Sequence, residues 1–139
     1  MIGGVRIEHN QGVVAHSDGD VVLHALADAL LGATGLGDIG HFFPENDSAW
    51  ADADSNILLA EVVTKVKRRG WHCINADCTV LCESPRIAPH GAQMREVIGL
   101  TLGCSRESVG VKATTMERMG FLGRGEGIGA LAVVLLGGA

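Results

Sequence analysis

The sequence predicts a mixed α/β domain, one sheet of about four strands with helices packed on it, and three observations carry that prediction. Apolar residues recur at helical spacing in three stretches, 21–33, 56–69 and 89–102. Strand-like runs stand between and after them at 71–82, 109–113 and 128–136. No internal repeat or Ser-rich linker divides the 139 residues, a length that suits one core.

In chain order, residues 2–7 read as a short first strand, and 12–15 lead into a helix whose apolar positions run from Val21 to Ala33 before Gly35 stops it. This helix is apolar nearly all round, so it belongs at the centre of the fold and any polar residue on it needs a partner. Residues 36–54 make an acidic loop containing Pro44, longer than a compact domain requires and therefore a candidate lid or binding loop. Asp54 or Ser55 caps the second helix, where Leu58, Leu59, Val62, Val63 and Val66 form one apolar face and Gly70 marks the stop. Pro89 opens the third helix and Gly103 closes it.

With 47% hydrophobic and 19% charged residues, the chain carries more apolar surface than one small domain hides, which predicts a homo-oligomer. A formal charge of −5 lacks the footprint that phosphate-backbone binding needs, so nucleic acid is excluded as a partner. The one basic cluster, Lys65, Lys67, Arg68 and Arg69, falls in the last turn of a helix, where cations offset the negative dipole end. No run approaches the roughly 18 apolar residues of a membrane span and the start has no leader pattern, so no membrane partner and a cytoplasmic location are expected. Cys73, Cys78, Cys82 and Cys104 show no C-x-x-C spacing and read as reduced core thiols, with Cys78 and Cys82 on one strand face.

Three stretches carry candidate chemistry. In the first, His16, Ser17, Asp18, Gly19 and Asp20 precede His24 and Asp28, so that Asp20, His24 and Asp28 form a polar stripe at i, i+4 and i+8. The His24 imidazole suits zinc or another divalent transition metal, with carboxylates fixing its tautomer; equally, Asp18 and Asp20 serve the helix N-terminus and His24 is a satisfied core histidine. The second runs from Lys112 through Thr114, Thr115, Met116 and Glu117 to Gly120, Phe121, Gly123, Arg124, Gly125, Glu126 and Gly127. Hydroxyls and free N–H groups hold phosphate oxygens, a carboxylate holds Mg²⁺ on a diphosphate, and Arg neutralises charge; a glycine-rich turn between strands explains the same composition. A dinucleotide fingerprint is excluded because the glycines precede a strand. The third, Glu83, Ser84, Pro85 and Arg86, ends a strand, where most such stretches are turns.

Taken together, His16 to Asp20, the run His24 to Gly32, Leu36 to Gly40, Phe43-Pro44, and Lys112 to Thr115 with Glu117, Gly120-Phe121 and Gly123 to Gly127 resemble the 2-C-methyl-D-erythritol 2,4-cyclodiphosphate synthase family in order and spacing over nearly the whole chain. The resemblance implies a homotrimer with active sites at subunit interfaces. It implies a phosphorus–oxygen lyase reaction of isoprenoid precursor synthesis, in which 4-diphosphocytidyl-2-C-methyl-D-erythritol 2-phosphate cyclises and releases CMP. Carried over by position, His24 is a zinc ligand, Glu117 a ligand for Mg²⁺ or Mn²⁺, and His16 and Thr115 stabilise the transition state. Ser17, Asp38, Ile39, Gly40, Phe43, Pro44, Glu45, Asn46 and Asp47 line the erythritol side. Cys82, Glu83, Ser84, Pro85, Arg86, Ile87, Ala88, Thr114, Met116, Phe121 and Arg124 serve the cytidyl diphosphate, and Arg124 and Glu126 also face the trimer axis.

Against the family pattern, the chain begins after the strand that carries an Asp-x-His pair, which implies weakened zinc binding and a sheet short of one strand. Arg86 stands where Lys is usual, Met116 where Thr is common, and Glu45 where Asp is usual. Two other readings accompany the cyclase: a catalytically impaired trimer that keeps the cytidine diphosphate pocket without zinc, and a metal-dependent phosphohydrolase built on His16, Asp20 and His24.

Overall fold

Alternating inward side chains make β1 (Trp71–Leu81) the middle strand of a three-stranded sheet, in a computed structural model that describes residues 1–9, 19–48 and 53–138. β2 (Val109–Thr114) lies parallel to it, with Ala76 opposite Val109 and Leu81 opposite Thr114. β3 (Gly129–Gly138) runs antiparallel on the other side, from Trp71 opposite Gly138 to Leu81 opposite Gly129. A parallel neighbour requires a crossover. Here it is a 3₁₀ turn at Ala88–His90 and α4 (Gly91–Leu102), which ends at Gly103 in the left-handed region with φ 78°.

Two further long helices precede the sheet: α1 (Val21–Ala33) and α3 (Ser55–Arg68), with the single turn α2 (Ile39–Phe42) between them. α1 packs on β3, α3 on α1 and β1, and α4 on β2. The face they cover is presented by Ala76, Cys78 and Val80 of β1 and by the directly opposed Val134, Ala132 and Ala130 of β3. Val22, Leu23, Leu26, Leu30 and Leu31 of α1 are fully buried there, as its all-round apolar sequence predicts. On α3, Leu58, Leu59, Val62, Val63 and Val66 are buried, each worth about 1.5–3 kcal/mol of transfer free energy. Asp54 is its cap, its carboxylate accepting from the Asn56 N–H at 2.8 Å. On the other sheet face, Leu131, Val133 and Leu135 of β3 stand exposed among the described residues.

The sheet has three strands among the described residues where about four were expected, and the difference lies at residues 2–7. Gly3 and Gly4 both adopt positive φ, 60° and 76°, which closes a tight turn with Ile2 bridged to Val5. Side chains are also excluded at both: a Cβ on Gly3 would sit 2.9 Å from Met94 Cγ, and one on Gly4 would sit 2.5 Å from Val97 Cγ1. The two glycine N–H groups go to the Asp20 carboxylate at 2.9 and 2.8 Å instead of to a neighbouring strand. Asp20 also caps α1, accepting from the Val22 and Leu23 N–H groups at 3.1 Å each, and it is completely buried. Among the described residues no helix is long and apolar enough to cross a membrane.

Because Asp20 gathers four backbone donors, Asp20→Asn is expected to lower unfolding free energy by at least about 2 kcal/mol, with an NH₂ group now facing N–H donors. Urea denaturation at fixed protein concentration checks this. The thiols make a second expectation. Burial, reinforced by Asp77, pushes Cys78 up to about 12, and burial, reinforced by Cys104, pushes Cys73 up to about 11. The unfolded chain ionises these thiols near ~8.5, so above that pH it binds fewer protons than the folded form. Stability is then whole below about pH 8.5 and declines toward pH 11–12, by at most about 1.4 kcal/mol per pH unit for Cys78. Denaturation at pH 7.5, 9 and 10.5 checks the slope, which Cys78→Ala reduces.

Candidate active site

Because β1 and β2 run parallel, their carboxyl ends emerge side by side, and the ladder continues one step further as the Cys82 N–H donates to the Thr114 carbonyl at 3.1 Å. Ligands of open α/β sheets bind just beyond such ends. A recess of about 170 Å³ lies there, lined by Cys82, Glu83, Pro85, Arg86, Ile87 and Ala88 from one strand end and Ala113, Thr114 and Thr115 from the other. Its floor is apolar, since Cys82 and Ile87 are buried, while Arg86, Thr114 and Thr115 are exposed at the rim. The Cys82 thiol is pushed up by burial and by the neighbouring Glu83 carboxylate, and it donates to the Pro85 carbonyl at 3.6 Å. It is a packing group and no nucleophile. The Ser84-Pro85 peptide is cis.

Beyond β2 the chain turns sharply. Glu117 and Arg118 take positive φ of 54° and 64°, uncommon for non-glycine residues, and the Met119 N–H closes the turn onto the Met116 carbonyl at 3.0 Å. The Glu83 carboxylate accepts from the Met116 N–H at 2.9 Å and the Arg118 N–H at 3.1 Å. Glu83, Thr115, Glu117 and Arg118 line a second, wider recess that adjoins the first through Glu83 and Thr115. The short helix α5 (Gly120–Gly123) follows, and a Cβ on Gly123 would meet the Arg118 carbonyl carbon at 2.3 Å, so the turn rests directly on glycine backbone. Arg124 is held by Glu126, its Nε 3.1 Å from both carboxylate oxygens and its Nη2 3.0 Å from one. Arg124 and Phe121 are exposed, and neither they nor Met116 and Ser84 line the two recesses.

The other candidate stretch sits on α1 and α2. His24 Nε2 lies 2.9 Å from the hydroxyl of Ser55, a side chain 1% exposed at the start of α3. The stripe of Asp20, His24 and Asp28 does not act as one set: Asp20 serves backbone donors as described, and Asp28 accepts from the Ile39 N–H at 2.9 Å. That engagement removes Asp20 from the ligand role a phosphohydrolase would need. Asp38 caps α2, accepting from the His41 N–H at 3.0 Å. Ile39 is partly buried against the core and Phe43 is buried in it, with Gly40 between them in α2. Pro44, Glu45, Asn46 and Asp47 form an outer turn closed by the Asp47 N–H on the Pro44 carbonyl at 3.0 Å. His16 and Ser17 lie outside the described residues. None of the described residues of this stretch lines the recesses at the strand ends.

Among the described residues no three His, Cys, Asp or Glu side chains converge as a metal set. One imidazole does not make a closed zinc site. For Mg²⁺ the donors suit better, because that ion keeps most of its waters and takes one or two carboxylates plus substrate phosphates, and Glu117 and Thr115 present hard oxygens in one recess. Sequence reasoning missed Ser55, which it weighed only as a cap, and Arg118; the i+31 spacing from His24 to Ser55 has no local signal.

The model of the YgbB family matches residues 1–137. The 2-C-methyl-D-erythritol 2,4-cyclodiphosphate synthase of Xanthomonas axonopodis pv. citri (strain 306) is 57% identical over 137 residues, covering 99% of this chain and 82% of its own. The bifunctional IspDF from Campylobacter jejuni superposes with a TM-score of 0.95 at 42% identity, covering all of this chain and 38% of that longer one. IspF of Plasmodium falciparum, solved as a CDP complex, superposes with a TM-score of 0.86 at 31% identity over 99% of this chain and 82% of its own.

Since the 115–119 turn rests on bare backbone, Gly123→Ala is expected to displace it and to cost about 1–3 kcal/mol of stability. Urea denaturation together with faster amide exchange at Arg118 checks this, and an unchanged Arg118 amide contradicts the packing.

Proposed function

Because this chain belongs to the YgbB family and is a 2-C-methyl-D-erythritol 2,4-cyclodiphosphate synthase by its relatives, an enzyme of the isoprenoid pathway, we propose that the recess at the ends of β1 and β2 receives its cytidyl diphosphate substrate. The observation that carries this reading is the convergence of Cys82–Ala88, Thr114 and Thr115 around one pocket, with Glu117 on the next turn. The CDP complex of the Plasmodium falciparum relative supports the ligand class. A match over 99% of the chain to relatives that carry the enzyme's name favours a synthase over a silent binder.

In this reading 4-diphosphocytidyl-2-C-methyl-D-erythritol 2-phosphate lies with its cytosine over the apolar floor of Cys82 and Ile87 and its ribose and phosphates toward Arg86, Thr114 and Thr115. An oxygen of the 2-phosphate attacks the β-phosphorus, the bond from that phosphorus to the bridging oxygen breaks, and CMP leaves with the electron pair. No protein nucleophile takes part. The chain folds the substrate so that attacking and leaving oxygens are in line, and we assign the equatorial oxygens to the Thr115 hydroxyl and, by the family resemblance, to His16. A divalent cation such as Mg²⁺ or Mn²⁺, held by Glu117, supplies charge neutralisation on the diphosphate. His24, oriented by Ser55, is offered as one ligand of a transition metal such as zinc; we derive no step through it. Asp38 to Gly40 and Phe43 to Asp47 line the erythritol side, with Phe43 acting through the backbone because its ring is in the core.

The described residues of the two candidate stretches share no recess, and Leu131, Val133 and Leu135 stand exposed on one sheet face. Both support a homotrimer whose active sites form between subunits. Four free cysteines suit a reducing compartment, and we place the enzyme in the cytoplasm.

CMP release from the cytidyl substrate tests the proposal, with metals varied and the assembly sized by light scattering. Glu117→Gln is expected to lower turnover by at least about a hundredfold while CDP affinity stays within about threefold. Wild-type protein that binds CDP as a trimer yet releases no CMP with any divalent metal contradicts the proposed chemistry.

A further inference from the structure

Glu83 and Thr115 line both recesses, and the chemistry of the Glu83 carboxylate is at odds with a phosphate contact. A carboxylate offers acceptors only, and beside a diphosphate it would add repulsion. Its two oxygens are instead engaged on protein donors: one accepts from the Met116 N–H at 2.9 Å, the other from the Arg118 N–H at 3.1 Å. These amides flank Glu117 on either side. Glu83 leaves the end of β1 and reaches 33 and 35 residues along the chain, so it fastens the carboxyl end of one strand to the turn that follows its parallel neighbour. The turn needs fastening, because Glu117 and Arg118 hold left-handed conformations that non-glycine residues adopt rarely. Charge-assisted bonds to backbone N–H groups are of the stronger kind.

We infer that Glu83 is a positioning residue, a carboxylate clamp that holds the Met116–Arg118 turn in the conformation in which Glu117 presents its carboxylate to a divalent cation. This rests on the reading that Glu117 holds that cation. It replaces the expectation that Glu83 touches the substrate. The cytidyl recess and the cation carboxylate are thereby one unit, with Glu83 in the shared wall.

The test uses the full chain, Glu83→Gln, Glu83→Ala and Glu117→Gln, with Mn²⁺ and CDP as probes. In the wild type the Met116 and Arg118 amides are expected to be protected from hydrogen exchange. Glu83→Gln keeps the shape and one acceptor oxygen, and it speeds exchange at one or both amides; Glu83→Ala speeds both by about tenfold or more. Mn²⁺ affinity in saturating CDP falls by about tenfold in Glu83→Ala and less in Glu83→Gln, and the metal concentration for half-maximal CMP release rises in parallel, while CDP affinity without metal stays within about twofold. Unprotected amides in the wild type overturn the clamp without any variant having to fold. Lost CDP affinity with unchanged Mn²⁺ affinity also overturns it and makes Glu83 a substrate contact. Faster exchange with unchanged Mn²⁺ affinity reduces Glu83 to a structural residue. Equal Mn²⁺ affinity in Glu117→Gln and wild type removes the cation reading itself, an outcome separable because the exchange data then stand alone.

Discussion

The parallel pairing of β1 with β2 is the constraint on which the site depends. An antiparallel pair would send the segments after Leu81 and Thr114 to opposite edges of the sheet. Parallel pairing brings Cys82–Ala88 and Thr114–Glu117 to one edge and requires α4 as the crossover that returns the chain. Everything said of the recess follows from that register. The buried Asp20 has a comparable place at the start of α1. It joins the turn at Gly3-Gly4, which lies against Met94 and Val97 of α4, to the start of α1, the helix that carries His24 and packs on the sheet.

Both sites show the same device, a single carboxylate that collects backbone N–H groups from a turn distant in sequence. Asp20 does this in full burial, where four donors offset the loss of solvation. Glu83 does it in a half-open recess, with two donors and a turn that is strained without them. The difference in burial fits the difference in use. A buried hub stabilises the fold, whereas a partly exposed clamp leaves its turn open to a ligand.

Helices and strands were legible because their signals are local. The apolar run on α1, the single face of α3, the Gly103 stop and the alternation along β1 each lie within one window of sequence. What failed was decided by contacts far along the chain. Residues 2–7 carry strand-like apolar residues, yet two left-handed glycines and a carboxylate sixteen and seventeen positions away make them a turn. The stripe of Asp20, His24 and Asp28 has the spacing of a ligand set, yet each member is bonded to a different partner, and the Ser55 that meets His24 is remote in sequence. At the strand ends the residue types were legible as a phosphate-handling inventory, while the division of labour was not: Arg124 is tied to Glu126 and Glu83 is turned onto backbone amides.

The apolar face of the sheet bears on where the chemistry is assembled. A two-layer fold with helices on one side leaves the other side of β3 showing Leu131, Val133 and Leu135, each more than half exposed. Opposite them on β1 stand Thr79, Asp77 and Asn75, a polar border to the stripe, while Ile74 of β1 is exposed beside Gly137. A stripe so narrow is too small for a ligand cavity of its own and suits the same stripe on another copy. Copies that meet on β3 bring further sheet ends around a common axis, and with them the glycine-rich run that connects Glu117 to β3. In the proposed trimer a neighbour's α1 and α2 would complete the strand-end recess, which the described residues of α1 and α2 in the same chain do not line. The proposed assembly thus draws on the same sheet that builds the recess, because β3 packs on the core with one face and leaves an apolar stripe on the other.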